Sequence, residues 1–447
     1  MNPLLPLGIL VLTLLYPGQS SGQQEPALQQ ARQLIEDLAA GHAQAAYERF
    51  DPSLQAALPQ QRLAQAWESL EKSYGKFVRI ATVEQKSAAA AIAQVVATCE
   101  FQHGRLEALV TIHDGRIAGL MFRPVAGPDT WTAPVYVRPE TFREVAVTVV
   151  TDRWQLPGML TLPAGPGPFP AVVLVHGSGP QDADETVGTA KPFKDLAWGL
   201  ASRGIAVLRY VKRTRAYGAA SAADPMRLTV QEETVDDAVS ALRLLAGRRE
   251  VDASRIFLLG HSLGATLAPR IARRSAGVRL AGLILLAGAV TPIERLALDQ
   301  IRRLAAEGAL PREQASAEVA ATEQAVAQIE SPDLKPDAQI RFLGALTPAS
   351  YWLDLRGYDP AAELAQLKVP ALLLQGTADR QVPASELALW TARLDGRSDV
   401  QARLLPGLNH FFATADPLTG SAPVHVDASV VEIIANWILK TNTGRQP

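Results

Sequence analysis

The sequence predicts a doubly wound, mostly parallel α/β sheet with an inserted helical cap, preceded by a small α+β domain. Three observations carry this. Short apolar runs at 170–175, 256–259 and 369–374 each end in a loop, and helix-like segments lie between them, as in a buried parallel sheet. In the first 122 residues, by contrast, helix-like segments precede strand-like ones instead of alternating with them, which marks a separate unit. Finally, 447 residues exceed what one core usually organises.

From the N-terminus, Leu4 to Tyr16 are thirteen mostly apolar residues, followed by small polar ones through Gly22. This reads as a secretory signal over 1–22 and falls short of the about 20 apolar residues a membrane span needs. The stretch before it has neither Lys nor Arg, so a retained anchor stays open as an alternative, while the lack of a following Cys argues against a lipoprotein. The expectation is an exported protein, periplasmic or secreted, with no stable membrane anchor after cleavage.

Residues 23–122 form the small α+β domain, with helices expected at 27–40 and 59–74 and strands near 77–83, 91–101, 106–113 and 117–122. Trp67 and Tyr74 read as core residues and not as a ligand cage. Cys99 is the only cysteine, so no internal disulfide forms, and its apolar neighbours imply a buried, inert thiol. Pro, Gly and small residues over 123–134 suit a linker, leaving 135–447 as the second domain.

The second domain carries the chemistry. Gly260-His261-Ser262-Leu263-Gly264 follows an apolar strand and opens a helix, the pattern of a sharp strand-to-helix turn that thrusts a serine hydroxyl outward. Only glycines two residues to either side let the chain fold back on itself, and Ser262 is therefore read as a nucleophile. Such a serine needs an acid and a base, in the chain order Ser, Asp or Glu, His. Asp379 and His410 each lie just past the end of an apolar strand, where open parallel sheets place reactive groups. Asp395 and Asp399 are rival acids in a polar turn, and His425, near the last helix, is a rival base. The strand ending in His176-Gly177-Ser178-Gly179 predicts an oxyanion hole made by the main-chain N–H groups of Ser178 and Leu263.

Between about 290 and 350 the alternation breaks down into two long helix-like segments, 292–308 and 311–329, followed by Tyr351-Trp352. An insertion there suits a cap over the site. Its apolar faces either pack on the core or line a pocket, in which case Tyr351 and Trp352 are the walls expected to hold an acyl or aromatic group.

Taken together, His176-Gly-Ser-Gly-Pro, Asp184-Glu-Thr, Lys191-Pro-Phe-Lys-Asp-Leu-Ala, Arg203-Gly-Ile-Ala-Val-Leu-Arg-Tyr210, Gly260-His-Ser-Leu-Gly, Gly376-Thr-Ala-Asp379 and Asn409-His410-Phe411 resemble bacterial carboxylesterases of the alpha/beta-hydrolase fold, over roughly 135–440. The resemblance implies a serine esterase with Ser262, Asp379 and His410 as its triad and no metal. One departure is Val211, where such relatives carry an Asp before the Lys-Arg pair; it bears on a local salt bridge and not on the triad. Residues 27–122 are similar to a domain of unknown function often fused to these enzymes, through Ala45-Ala-Tyr-Glu-Arg-Phe-Asp-Pro, Leu58-Pro, Ala66-Trp and Tyr74-Gly75.

Lys and Arg number 43 against 45 Asp and Glu, a net −2, with no massed basic run, which argues against nucleic acid as a partner. The densest basic cluster, Arg209, Lys212, Arg213 and Arg215, either binds an acidic substrate or pairs with Asp182, Asp184 and Glu185. The expected activity is hydrolysis of short-to-medium acyl esters, a small-molecule substrate, through an acyl-enzyme and without cofactor or metal. A thioesterase, acyltransferase or peptidase would use the same triad, and an inactive hydrolase-fold binding protein would retain its outline.

Overall fold

A computed structural model of the chain describes residues 24–441 apart from 90–91, 125–130, 223–226, 276, 309–311, 344 and 419–421. The signal read at 1–22 lies outside the described residues, as do 125–130 of the linker read at 123–134. Two compact units result, one built from residues up to 124 and the other from Trp131 onward apart from a short stretch at 217–225.

The first unit runs α1 (Gln24–Ala39), α2 (Ala43–Glu48), α3 (Pro52–Ala57), α4 (Gln60–Tyr74), then β1 (Phe77–Ala89), β2 (Ile92–Phe101), β3 (Gly104–His113) and β4 (Arg116–Pro124). The strands form an antiparallel sheet in sequence order. In α1, Ala27, Ala31, Leu34, Ile35 and Leu38 recur at helical spacing and are all buried, giving the stripe that packs the helix. Asp51 caps α3 by accepting from Leu54 N at 2.6 Å, with Pro52 in the first turn, where its missing N–H is harmless. Trp67 lies 5.7 to 5.8 Å from the rings of Phe77, Phe101 and Phe122, a core residue as its surroundings imply. Cys99 is buried in β2, and burial pushes its thiol up to about 12.

The second unit runs β5 (Phe142–Thr151), β6 (Trp154–Pro163), β7 (Phe169–Val175), α5 (Pro192–Ala201), β8 (Ala206–Tyr210), α6 (Arg213–Tyr217), α7 (Asp236–Ala246), β9 (Val251–His261), α8 (Leu263–Arg274) and β10 (Leu280–Leu286). It continues with α9 (Ile293–Ala306), α10 (Arg312–Glu330), β11 (Gln339–Phe342), β12 (Ala345–Pro348), α11 (Ala349–Leu355), α12 (Pro360–Gln366), β13 (Ala371–Gly376), α13 (Ser385–Arg393), β14 (Val400–Leu405) and α14 (Ala428–Lys440). Eight strands form one sheet in the order β14-β13-β10-β9-β7-β8-β6-β5, parallel from β8 to β14 and antiparallel at the β6 and β5 edge. The central strands are apolar along their length because helices cover both faces; every residue of β10 and β13 is buried. Each fully buried Leu, Ile or Val there contributes roughly 1.5 to 3 kcal/mol relative to exposure.

From β7 the chain moves to β8 on one side and then to β9 on the other, so its direction through the sheet reverses there. Such a reversal opens a crevice beyond the carboxyl ends of the strands. Among the described residues no helix is long and apolar enough to cross a membrane, and no group of three His, Cys, Asp or Glu side chains is gathered to hold a metal.

Candidate active site

The site begins at the end of β9. Ser262 has φ 54° and ψ −118°, a conformation an L-residue adopts only under constraint, at a cost of order 1 to 3 kcal/mol. Its neighbours impose the turn. A Cβ on Gly260 would stand 2.2 Å from Gly264 O, and one on Gly264 would stand 2.3 Å from Val175 O and 2.6 Å from His176 O, all backbone atoms that cannot swing aside. Strand β9, helix α8 and strand β7 therefore meet closer than any side chain permits. Ser262 N donates to Leu286 O at 2.9 Å, tying the turn to β10.

Asp379 and His410 follow the adjacent parallel strands β13 and β14, and their loops converge: a Cβ on Gly376 would lie 2.2 Å from Leu408 O. Nδ1 of His410 lies 2.8 Å from Oδ2 of Asp379. The second carboxylate oxygen accepts from the N–H groups of Gln381 at 2.8 Å and Val382 at 2.9 Å, and Gln375 Nε2 donates to Oδ2 at 3.0 Å. Burial alone would raise this carboxyl, but the charge and hydrogen bond of His410, with the two amides, hold it below the usual carboxylate range. A carboxylate only accepts, so the Asp379 contact assigns the ring proton to Nδ1 and leaves the lone pair of His410 on Nε2. His261, beside Ser262, reaches the same loop: its Nε2 is 2.9 Å from His410 O, and the two rings are 4.8 Å apart.

Two of the rivals are engaged elsewhere. Nδ1 of His425 lies 3.1 Å from Oδ1 of Asp195, and Asp399 pairs with Arg397. His176 packs between Phe193 and Tyr210 with Nε2 at 2.9 Å from Asp182 O. Burial lowers its imidazole to about 4, so it is a neutral prop beneath the loop.

That loop carries Gly177 and Ser178. A Cβ on Gly177 would lie 3.1 Å from the Cβ of Ser262, which puts the loop directly against the serine. Glu185, only 2 % exposed, accepts from Gly177 N at 2.7 Å and stands 2.9 Å from Nδ1 of His261. Burial would lower the His261 imidazole, yet the Glu185 carboxylate outweighs this and raises it; the same pairing holds Glu185 below the usual range against its own desolvation. In the basic cluster Arg209 pairs with Asp184 as expected, and also with Glu144 on β5. Lys212 and Arg213 instead pair with Glu233 and Asp237. Those acids lie two dozen residues away or nearly so, beyond the reach of local pattern.

A cavity of about 750 Å³, including its open mouth, lies beside Ser262, with Ser178 and Leu263 in its wall. The Ser178 hydroxyl is buried without a hydrogen-bond partner among the described residues. Val290, Ile293, Leu296, Ala297, Leu355 and Val382 give the cavity an apolar lining, and Thr266, Thr291, Glu294, Gln300, Tyr358 and Gln381 are among its polar groups. The inserted helix α9 thus forms one wall, while α10 packs on α9 through the Arg295–Glu330 and Arg302–Glu323 pairs.

Tyr351 and Trp352 do not line this cavity, a correction to the sequence reading. They are 0 % and 2 % exposed, and their polar atoms point inward, the Tyr351 hydroxyl donating to Glu233 Oε2 at 3.3 Å and Trp352 Nε1 to Thr347 Oγ1 at 2.7 Å. The hairpin β11–β12 supplies Thr347 and packs Phe342 on Trp352, turning this face of α11 into the core. Aliphatic side chains of α9, with Tyr358 as the aromatic residue beside them, take the place read for Tyr351 and Trp352.

Residues 167–414 match the family described as serine aminopeptidase, S33, and residues 31–120 match a family described as protein of unknown function (DUF3887). Over 417 residues the chain is 37% identical to esterase EstD of Thermotoga maritima, covering 92% of this chain and 95% of that protein. Among solved structures, Est1E from Butyrivibrio proteoclasticus aligns with 66% of this chain and 98% of its own at 15% identity and a TM-score of 0.43. The esterase domain of a Rhodothermus marinus protein aligns with 66% of this chain and 97% of its own at 16% identity and a TM-score of 0.41.

Proposed function

Because the chain belongs to the serine aminopeptidase S33 family of alpha/beta hydrolases, in company with esterase EstD, it is a serine hydrolase of carboxylic esters, and we propose that it cleaves short-to-medium acyl esters through a Ser262, His410 and Asp379 triad. The observation that carries this reading is the buried His410–Asp379 pair at 2.8 Å, linked through His261 to the strained serine next to it.

In this mechanism Ser262 Oγ attacks the ester carbonyl carbon while Nε2 of His410 takes its proton. Asp379 fixes the imidazole tautomer and stabilises the imidazolium. The carbonyl oxygen gains the electron pair and is received by the N–H groups of Ser178 and Leu263. Collapse expels the alcohol, which takes the proton from His410, and leaves the acyl group on Ser262. Water, activated by the same imidazole, then releases the acid. The apolar wall of the cavity suits a small acyl group.

A fluorophosphonate probe tests the nucleophile: one equivalent should add at Ser262, read by peptide mass. A series of p-nitrophenyl esters of rising chain length, with a peptide amide alongside, tests the substrate class. Turnover of the amide over the esters would move the assignment to a peptidase. His410→Ala should abolish ester turnover and His425→Ala should retain it, because only the imidazole in the loop after β14 is held against Asp379 as the general base. The apolar run from Leu4 to Tyr16 supports export, which N-terminal sequencing of the mature protein tests.

A further inference from the structure

We propose that Lys212 is a positioning residue for the oxyanion site, fixing and polarising the peptide unit between Gly177 and Ser178. The proposal rests on the serine esterase reading above.

Lys212 follows β8 and is 2 % exposed. Its Nζ donates to Gly177 O at 2.9 Å and lies 3.2 Å from Glu233 Oε1. The carbonyl of Gly177 and the N–H of Ser178 belong to one planar trans peptide, in which the two groups point in opposite directions. A cation gripping the oxygen from one side therefore aims the N–H away from itself, and the residue that carries that N–H, Ser178, shares the cavity wall with Ser262. Pulling electron density toward the carbonyl oxygen also makes the attached N–H a stronger donor. The preceding peptide is held as well, since Gly177 N–H donates to Glu185 at 2.7 Å. Two buried charges of opposite sign thus fix both sides of one glycine, which has no side chain to fix itself.

The rest of the network has a shape that a packing role does not require. Burying an ammonium is unfavourable unless it is paired and hydrogen-bonded. Glu233 supplies the pairing, and it is steadied in turn by the Tyr351 hydroxyl at 3.3 Å and by Thr214 Oγ1 at 3.4 Å. Glu233 sits on a π-helical turn, Gln231–Val235, an irregularity that recurs at functional positions. The chain of contacts runs Tyr351, Glu233, Lys212, Gly177 and ends on the carbonyl of the peptide whose N–H is the proposed oxyanion donor. Tyr351, absent from the cavity wall, is connected to the site by this route.

The test compares wild type, Lys212→Met and the double variant Lys212→Met with Glu233→Gln, in which no buried carboxylate is left unpaired. Rates on p-nitrophenyl butyrate are expressed per site titrated by fluorophosphonate, so that only folded molecules count. A trifluoromethyl ketone of the same acyl length, which forms a tetrahedral oxyanion on the serine, reports the oxyanion site directly. Complete removal of one oxyanion donor costs about 10²- to 10³-fold in kcat, so a misaimed donor should cost about 10- to 100-fold, with KM within about threefold. The ketone's inhibition constant should rise by the factor that kcat/KM falls, in both variants. The proposal is overturned if kcat per titrated site stays within threefold of wild type, if the loss lies in KM alone, or if the double variant regains what the single one loses. A wild-type chain that reacts with neither ester nor fluorophosphonate would overturn the esterase reading itself, a result distinct from these.

Discussion

Oε2 of Glu185 stands 2.9 Å from Nδ1 of His261, and the other oxygen of the same carboxylate accepts from Gly177 N at 2.7 Å, so one buried side chain joins the loop after β7 to the residue preceding Ser262. Both partners respond to the pairing. Desolvation opposes the charged form of each, yet the carboxyl ends below its ordinary range and the imidazole above its own.

Those directions predict how stability follows pH. A depressed carboxyl contributes stability that is present above its unfolded pKa, about 4.3, and lost as pH falls through the folded value. A raised imidazole contributes stability that is complete below about 6.5 and lost as pH rises through the folded value. Glu185→Gln removes both contributions. Its stability should therefore fall furthest below wild type between about pH 4.3 and 6.5, by on the order of 2 kcal/mol, the scale of the buried charged hydrogen bond that Glu185 accepts from Gly177 N, and the gap should narrow toward alkaline pH. Thermal melts from pH 4 to 9 check this; a gap that stays constant above pH 6 would show that the pair does not titrate as described.

Gly264→Ala should be severely destabilising. The added Cβ would meet Val175 O at 2.3 Å and His176 O at 2.6 Å, backbone at the end of β7 and the start of the loop after it. Overpacking a core typically costs about 1 to 3 kcal/mol, and a clash with backbone belongs at or above the top of that range. Gly247→Ala is the matched control, since its Cβ would find only ordinary contacts at 3.7 Å. Denaturant melts of the two variants should differ by at least about 2 kcal/mol; near equality would mean that the turn relaxes without strain.

Ser262 is held in a left-handed conformation that glycine would adopt freely, φ 54°. Ser262→Gly should thus gain about 1 kcal/mol or more of stability, offset in part by the greater freedom of glycine in the unfolded chain. Ester turnover should fall by several orders of magnitude in this variant and in Ser262→Ala, toward the about 10⁶-fold loss seen where a triad acts as a unit. A Ser262→Ala enzyme keeping more than a tenth of wild-type activity would sink the assignment of the nucleophile.

How much of this was legible in the sequence follows from the range over which each feature is encoded. The elbow, the strand ends before Asp379 and His410, and the glycine loop after β7 are local patterns of apolar run and glycine, and the residues they name do meet at one edge of the sheet. The helices α2 and α3, six residues each, are too short to show a period and went unread. So did the β5–β6 hairpin, whose half-exposed strands lack the apolar continuity of the central ones. Tyr351 and Trp352 follow the helix-like segments as two aromatics in a short polar-apolar stretch, which does not say which neighbour they meet; the seven-residue helix α11 and the hairpin β11–β12 decide it. The pairs Lys212–Glu233 and Arg213–Asp237 join residues more than twenty positions apart. No periodicity announces them.

The α+β unit should be dispensable for the chemistry, and the structure sharpens where the chain is to be cut. Every residue given a role in the mechanism lies after His176. Trp131 is the first described residue of the larger unit, and it is firmly bound there: its Nε1 donates to Asp195 Oδ1 at 2.8 Å, Lys194 lies over its ring at 4.1 Å, and Trp198 meets it edge-on at 4.9 Å. Asp195 is fully buried and also receives Val426 N at 2.9 Å, so losing the indole would leave a buried carboxylate one donor short. A chain beginning at Trp131 should fold and hydrolyse p-nitrophenyl acetate at close to the full-length rate, as domains joined by a linker usually fold independently. One beginning at Thr132 should keep that activity but melt earlier, its stability lower by the about 1 to 3 kcal/mol that a buried acceptor left without its donor costs. Circular dichroism melts and initial rates on the two chains decide the matter. A well-folded chain from Trp131 that had lost small-ester turnover would show that the first unit contributes to the site and that this division of labour is wrong.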